Sequence, residues 1–278
     1  MNEVLEKDFK RKVEKLKGKV NILHFSTGAD SVACFLKLRE NGIDPILVYK
    51  YFLPDLPMVK NYIDYFEKKF NVHIYQFPST LYAEHTDNAL YQFPVKAREK
   101  FRNKIGLFGL ENYSKDGFDK ALASCFNEEV VFHLGFRYTD GLNRYRVLSK
   151  YGCMCGNKFY PIASFKVSDI QDILRKYETK LPIEYGLWGI SFESPRSFNI
   201  NLIKENCPLT YNMIKERFPL IGVLGLRDVY TGLNQHFKQR LAQYKNFAME
   251  KGAGSCAGDL RRRPHDGYPE CEKSRGLC

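Results

Sequence analysis

The chain has 278 residues, 44% of them hydrophobic, and a formal net charge of +11, enough apolar content for one large α/β domain or a domain with an appendage. Eight cysteines spread over this length exclude the small disulfide scaffold of secreted mini-proteins. No apolar run approaches the roughly 20 residues that cross a bilayer, and the start Met1-Asn2-Glu3-Val4-Leu5-Glu6-Lys7-Asp8 is too charged for a secretory signal, so a cytoplasmic protein is expected. Residues 4–18 place Val4, Leu5, Phe9, Val13 and Leu16 at helical spacing among charges, predicting an amphipathic helix that packs onto the domain rather than onto a membrane surface. Val20 to Phe25 reads as a strand, Ser26 to Ser31 as a turn, and Val32 to Arg39 as a helix. Gly42-Ile43-Asp44-Pro45 then turns the chain into a second strand, Ile46 to Tyr51, followed by a helix over Met58 to Phe70 and a strand over Val72 to Phe77.

This alternation predicts right-handed crossovers and a doubly wound parallel sheet, with the ligand at the carboxyl ends of the first two strands. Residues 78–118 mix rings and cations (Tyr82, His85, Tyr91, Phe93, Lys96, Arg98, Lys100, Arg102, Lys104), a composition open to nucleic-acid stacking and equally to a solvated helix face. A helix is expected over 119–126, a buried strand over Val130 to Arg137, another helix over Ser168 to Tyr177, and a helical region over 199–250 packing on Leu202, Ile203, Met213, Ile214, Phe218, Leu233, Phe237, Leu241 and Tyr244. The expected organisation is an N-terminal helix (1–19), a nucleotide-binding α/β domain (20–195), a helical cap (196–250) and a cysteine-containing tail (251–278) that lacks the aliphatics for a core.

The turn Ser26-Thr27-Gly28-Ala29-Asp30-Ser31 joins a strand to a helix N-terminus, where unpaired N–H groups and the helix dipole favour an anion. Gly28 is expected to take positive φ and let backbone approach a phosphate, while Ser26, Thr27 and Ser31 supply hydroxyls. A carboxylate beside a polyphosphate is repulsive unless a divalent cation lies between them, so Asp30 points to a Mg2+-bound triphosphate. A plain helix cap by Ser26 or Asp30 is the alternative.

The residues Ser26, Gly28, Asp30 and Ser31 meet the S-x-G-x-D-S signature, and here the chain resembles the PP-loop superfamily of ATP pyrophosphatases, with its adenine nucleotide alpha hydrolase-like fold. Two further stretches resemble the phosphoadenosine phosphosulfate (PAPS) reductase family. One is Val130 to Arg137, ending in Gly135-Phe136-Arg137 and followed by Asp140, Arg144 and Arg146; the other is Tyr160-Pro161-Ile162 leading to Asp169, continued by Leu181 to Ile190. The chain departs from that family in three ways. It keeps Asp30 and Ser31, which PAPS reductases lack; it ends Lys273-Ser274-Arg275-Gly276-Leu277-Cys278 rather than in a Glu-Cys-Gly-x-His sequence; and Phe165 stands where the family has Trp. ATP is therefore the better expected ligand than PAPS.

The resemblance implies ATP and Mg2+ as ligands, with Ser26, Thr27, Gly28, Ala29, Asp30 and Ser31 around the phosphates and adenine near Val48 to Lys50. Gly135, Arg137, Arg144 and Arg146 follow a strand end, where guanidinium groups hold phosphate oxygens and steady the charge of leaving pyrophosphate. Asp30 and Arg137 are the expected catalytic pair. Cys34 and Cys125 read as buried thiols. Cys153-Met154-Cys155 is a C-x-C pair that, with Cys207, is open to a zinc or iron–sulfur site, to thiol chemistry, or to inert thiols; the histidines show no ligand spacing.

The expected reaction is attack on the α-phosphate of ATP, adenylating an acceptor and releasing pyrophosphate. The acceptor could be a base in tRNA or DNA, a sulfate or a small acid, with a thiol donor as a further partner if sulfur is transferred. The alternatives are a sulfonucleotide reductase using Cys271 or Cys278, and a binding module that performs no chemistry.

Overall fold

Val20–His24 (β1) alternates faces with a period of two, so Ile22 and Leu23 are buried on opposite sides of a sheet whose centre this strand forms. The computed structural model describes residues 2–79 and 115–231. Around β1 the strands run in the order β3-β2-β1-β4-β6-β5, where β2 is Ile46–Tyr51, β3 Ile74–Pro78, β4 Val130–His133, β5 Met154–Cys155 and β6 Lys158–Phe159. The β1–β2, β1–β4 and β4–β6 pairs are parallel, in registers that set Ile22 against Ile46 and Phe132. The sheet is therefore the mostly parallel α/β type that the strand and helix alternation predicts.

Both faces are covered. Leu5, Phe9 and Val13 of α1 (Glu3–Val13) pack on one side with Leu38 of α2 (Ala29–Glu40), Val131 and Phe159. On the other side Ile22, Val48, Val130 and Phe132 meet Phe118 of α4 (Lys115–Ala123), with Leu122 and Ala123 against them. The N-terminal helix packs onto the domain as its apolar stripe requires, but it stops at Val13 and continues as a short 3₁₀ turn to Leu16 rather than to residue 18. Its Glu6 makes a part-buried ion pair with Lys37 at 2.6 Å and accepts a hydrogen bond from Ser164. The Lys37 ammonium also lies 4.0 Å above the Phe9 ring and 4.4 Å above that of Phe165; Phe165 thus keeps an aromatic core contact. Burial pulls the Lys37 pKa down, opposed by Glu6.

The C-x-C stretch forms a feature the sequence reading did not foresee. Met154 pairs antiparallel with Phe159, and Cys155 with Lys158. Gly156, with φ of 59°, takes the first turn position that favours glycine in a two-residue hairpin.

The described residues fall into two compact units. The first holds the sheet and comprises 2–50, 71–77 and 115–180; the second comprises 51–70, 78–79 and 181–231. Within the second, the Phe52 ring stacks on Phe218 at 5.5 Å and meets Phe192 edge-on at 6.3 Å. The helices Ser197–Asn206 (α8), Pro208–Arg217 (α9) and Gly222–Thr231 (α10) pack through α8, and α9 touches α3 (Pro57–Phe70), where the backbone N–H of Met58 donates to Thr210 Oγ1. Ile203, Ile214 and Phe218 are buried, as the sequence reading expects; the helical reading of 232–250 and the tail 251–278 lie outside the described residues. No helix among the described residues is long and apolar enough to cross a membrane.

Candidate functional site

The Ser26–Ser31 turn lies at the carboxyl end of the central strand, and α2 starts within it at Ala29. Gly28 is the N-cap and no side chain caps the helix, so neither Ser26 nor Asp30 performs the capping role that was the plain alternative. One detail differs from expectation. Gly28 sits at φ −76°, and Thr27 instead takes the left-handed conformation at φ 61°. For a β-branched residue this is a true outlier, costing about 1–3 kcal/mol that the surrounding packing must offset. Thr27 is buried, and its hydroxyl donates to the carbonyl of Ser26 at 2.6 Å. Ser31 is buried too and donates to the Gly28 carbonyl at 2.8 Å, while Ser26 is exposed and its hydroxyl donates to Ser31 Oγ at 3.3 Å. Of the three hydroxyls, only that of Ser26 is on the surface.

Asp30 follows in the first turn of α2. Its carboxylate, 41% exposed, meets Arg137 Nε at 3.2 Å in an ion contact that lacks hydrogen-bond alignment. Arg137 also holds Asp140 at 2.8 Å, and Asp140 accepts from the Arg137 backbone N–H and from Arg144. Burial raises the Asp30 pKa; Arg137 opposes the rise, Asp140 adds to it, and Arg144 opposes it. The Arg144 guanidinium lies 4.3 Å over the Phe136 ring, which stacks on Tyr160 at 5.2 Å, so the chain beyond β4 is locked in place. Arg146 is exposed on the same helix, α5 (Leu142–Tyr151). Two positions along a helix are about 200° apart, so Arg144 and Arg146 point to different sides.

Gly135 has a steric reason to lack a side chain. A Cβ there would come within 3.2 Å of Asp30 Cβ and 3.5 Å of its carbonyl carbon. We expect Gly135→Ala to push the first turn of α2 away from the strand end, costing about 1–3 kcal/mol, which thermal melts check.

The Val48 side chain is buried in the core beneath α4, so it offers no side-chain surface to an adenine; its carbonyl accepts the Phe25 N–H at 2.9 Å. Lys50 lies 4.0 Å over the Phe118 ring and 3.7 Å from Asp119 Oδ1. The same carboxylate oxygen is 3.1 Å from His24 Nε2, and the His24 ring stacks on Phe132 at 5.5 Å. Despite burial, the Asp119 pKa is lowered by His24, Lys50 and Lys158. His24 has no partner histidine at ligand spacing in the sequence; the signal that marks it is its position, two residues from Ile22 and therefore on the same face at the end of the strand.

The proposed metal cysteines find no support. Cys153 is buried and its thiol donates to the Leu5 carbonyl at 3.2 Å; burial and then Asp8 push its pKa up to about 12. Cys155 lies in the hairpin, and Cys207 is buried in the second unit. Among the described residues no group of three or more His, Cys, Asp or Glu side chains is arranged to hold a metal. Cys34 is buried as expected, with its pKa raised by desolvation. Cys125 is not: it is exposed just after α4. Cys256, Cys271 and Cys278, and residues 80–114 of the aromatic and basic stretch, lie outside the described residues.

No protein-family model and no curated protein matches the chain. Among solved structures it is similar to an NH3-dependent NAD synthetase from Campylobacter jejuni in complex with the nitrate ion. The identity is 15% and the TM-score 0.38, over 80% of this chain and 95% of that one. A likeness this distant assigns neither family nor activity.

Proposed function

We infer that the chain is an ATP-using enzyme of the PP-loop type that directs an acceptor onto the α-phosphate of ATP and releases pyrophosphate. One observation carries this reading. The S-x-G-x-D-S turn sits on a helix N-terminus without a side-chain cap at the carboxyl end of the central strand, and Asp30 and Arg137 converge there, where open α/β sheets bind ligands. Ser26 and the backbone of the first α2 turn would receive phosphate oxygens. Arg137, anchored from behind by Asp140, is placed to neutralise charge as pyrophosphate departs.

The donor set fits Mg2+ held with the substrate. Asp30 offers a part-exposed carboxylate, whereas Asp140 is only 8% exposed and engaged by two arginines, and Mg2+ in phosphate sites is held by one or two carboxylates together with phosphate and water. When bound, the metal supplies charge neutralisation between Asp30 and the phosphates.

Thermal melts of the full chain with ATP, PAPS and a short RNA, each with and without Mg2+, test the reading. ATP at about 100 times its Kd should stabilise the fold by about 2.7 kcal/mol, and only when Mg2+ is present; PAPS and RNA should fall short of that. Equal stabilisation by PAPS without Mg2+, or no response to ATP, overturns it.

A further inference from the structure

We propose that the His24 imidazole, oriented by Asp119, accepts the proton of the acceptor's nucleophile as it attacks the α-phosphorus of ATP. This rests on the reaction proposed above and names a base for it. The bond from nucleophile to phosphorus forms, the bond from phosphorus to the bridging oxygen breaks, its electron pair leaves with pyrophosphate, and the proton passes to the imidazole.

Position is the first argument. His24 is the last residue of β1, two residues before Ser26 and so about 7 Å of extended chain from the phosphate seat. It projects on the face covered by α4, shown by its stacking on Phe132.

Tautomer is the second. Nε2 faces Asp119 Oδ1 at 3.1 Å in a contact that lacks hydrogen-bond alignment, and the Asp119 pKa is lowered, so we place the hydrogen on Nε2, toward the carboxylate, and the accepting lone pair on Nδ1. The charged surroundings are complete in kind: Asp119 from α4, Lys50 from β2 at 3.7 Å from the same carboxylate oxygen, Lys158 from β6 acting on Asp119, and His133 from β4, whose own pKa is depressed to about 3 by burial and by His24. His24 and the two lysines together lower the Asp119 pKa against its burial. Exposures of 16% for His24 and 17% for Asp119 leave the pair reachable but shielded from bulk water, as a general base requires.

A bracing role, tying α4 to the sheet through an ion pair, makes different predictions. The full chain is assayed for AMP and pyrophosphate formation from Mg·ATP, with water as the acceptor. His24→Gln should lose about 10²-fold in rate, with Mg·ATP affinity by calorimetry within twofold of wild type. His24→Ala should recover activity with added imidazole. Asp119→Asn should slow the reaction, because the imidazolium loses its counter-charge.

Independent of turnover, the ¹⁵N signals of the His24 ring should report the Nε2–H tautomer and move when α,β-methylene-ATP binds with Mg2+. A ring indifferent to bound nucleotide, or a His24→Gln enzyme with wild-type rate, overturns the proposal and leaves the ATP reaction standing. Failure of wild type to bind Mg·ATP at all overturns the reaction itself.

Discussion

Asp30→Asn is expected to reduce pyrophosphate release from Mg·ATP by about 10²–10³-fold while the protein melts at or slightly above the wild-type temperature. The two effects separate because Asp30 and Asp140 divide the work on Arg137. Arg137 retains Asp140 at 2.8 Å when Asp30 is neutralised, and Asp140 remains tied to Arg144, so the strand-end arginine stays in place. Asn also removes a carboxylate whose ionisation burial already disfavours. What the variant loses is the negative charge that would hold Mg2+ beside the phosphates.

A sign reversal makes the test sharp. In the presence of EDTA, wild type should bind ATP more weakly than Asp30→Asn, since an unshielded carboxylate repels the triphosphate; with Mg2+ the order should invert. Isothermal titration in both conditions reads it, and a variant that binds and turns over Mg·ATP like wild type would sink the proposed reaction.

Much of this was legible in the sequence because the signals are local. The apolar run Val20 to Phe25, the Ser26–Ser31 turn and the helix after it lie consecutively, and the structure keeps that order with the helix beginning three residues earlier, at Ala29, while the strand Ile46–Tyr51 and the helix through Phe70 stand as read. The Gly135-x-Arg137 motif was visible as a pattern, but not its cause: that Gly135 is pressed against Asp30 is a contact between segments distant in the chain. The same holds for His24 and Asp119, which only the sheet and α4 bring together.

Thr27 shows a different limit. Local propensity assigns the left-handed position to Gly28, and tertiary packing gave it to the residue before. C-x-C suggests a ligand pair at Cys153, whereas the contact that buries this thiol, with the Leu5 carbonyl, depends on α1 docking on the sheet. Gly156-Asn157 between two short runs was the better signal in that stretch, and it predicts the hairpin that forms.

Glu184→Gln is expected to leave stability almost unchanged at pH 4 and to raise it by about 4–5 kcal/mol at pH 9. Glu184 lies in the short helix Ile183–Leu187 (α7) of the second unit and is fully buried. The backbone N–H groups of Glu184 and Phe192 lie close enough to favour its charge, yet neither carboxyl oxygen gains an aligned hydrogen bond. Burial outweighs them and pushes the pKa from its ordinary 4.5 up to about 8.

The direction of the pH effect follows from proton binding. Below about pH 4.5 the folded and unfolded chains both carry the proton, and the contribution of this group is at its most favourable. Between there and about pH 8 the unfolded chain releases the proton while the folded one keeps it, so stability falls as pH rises. Above the folded pKa both are ionised and the loss is complete. An amide mimics the protonated acid in shape and never ionises, so Gln escapes that decline.

Melting curves at half-unit pH steps should therefore nearly coincide for the two proteins at pH 4 and diverge to roughly 10 °C at pH 9. Parallel curves across the whole range would mean that Glu184 is solvated or partnered in the folded protein, contrary to its complete burial.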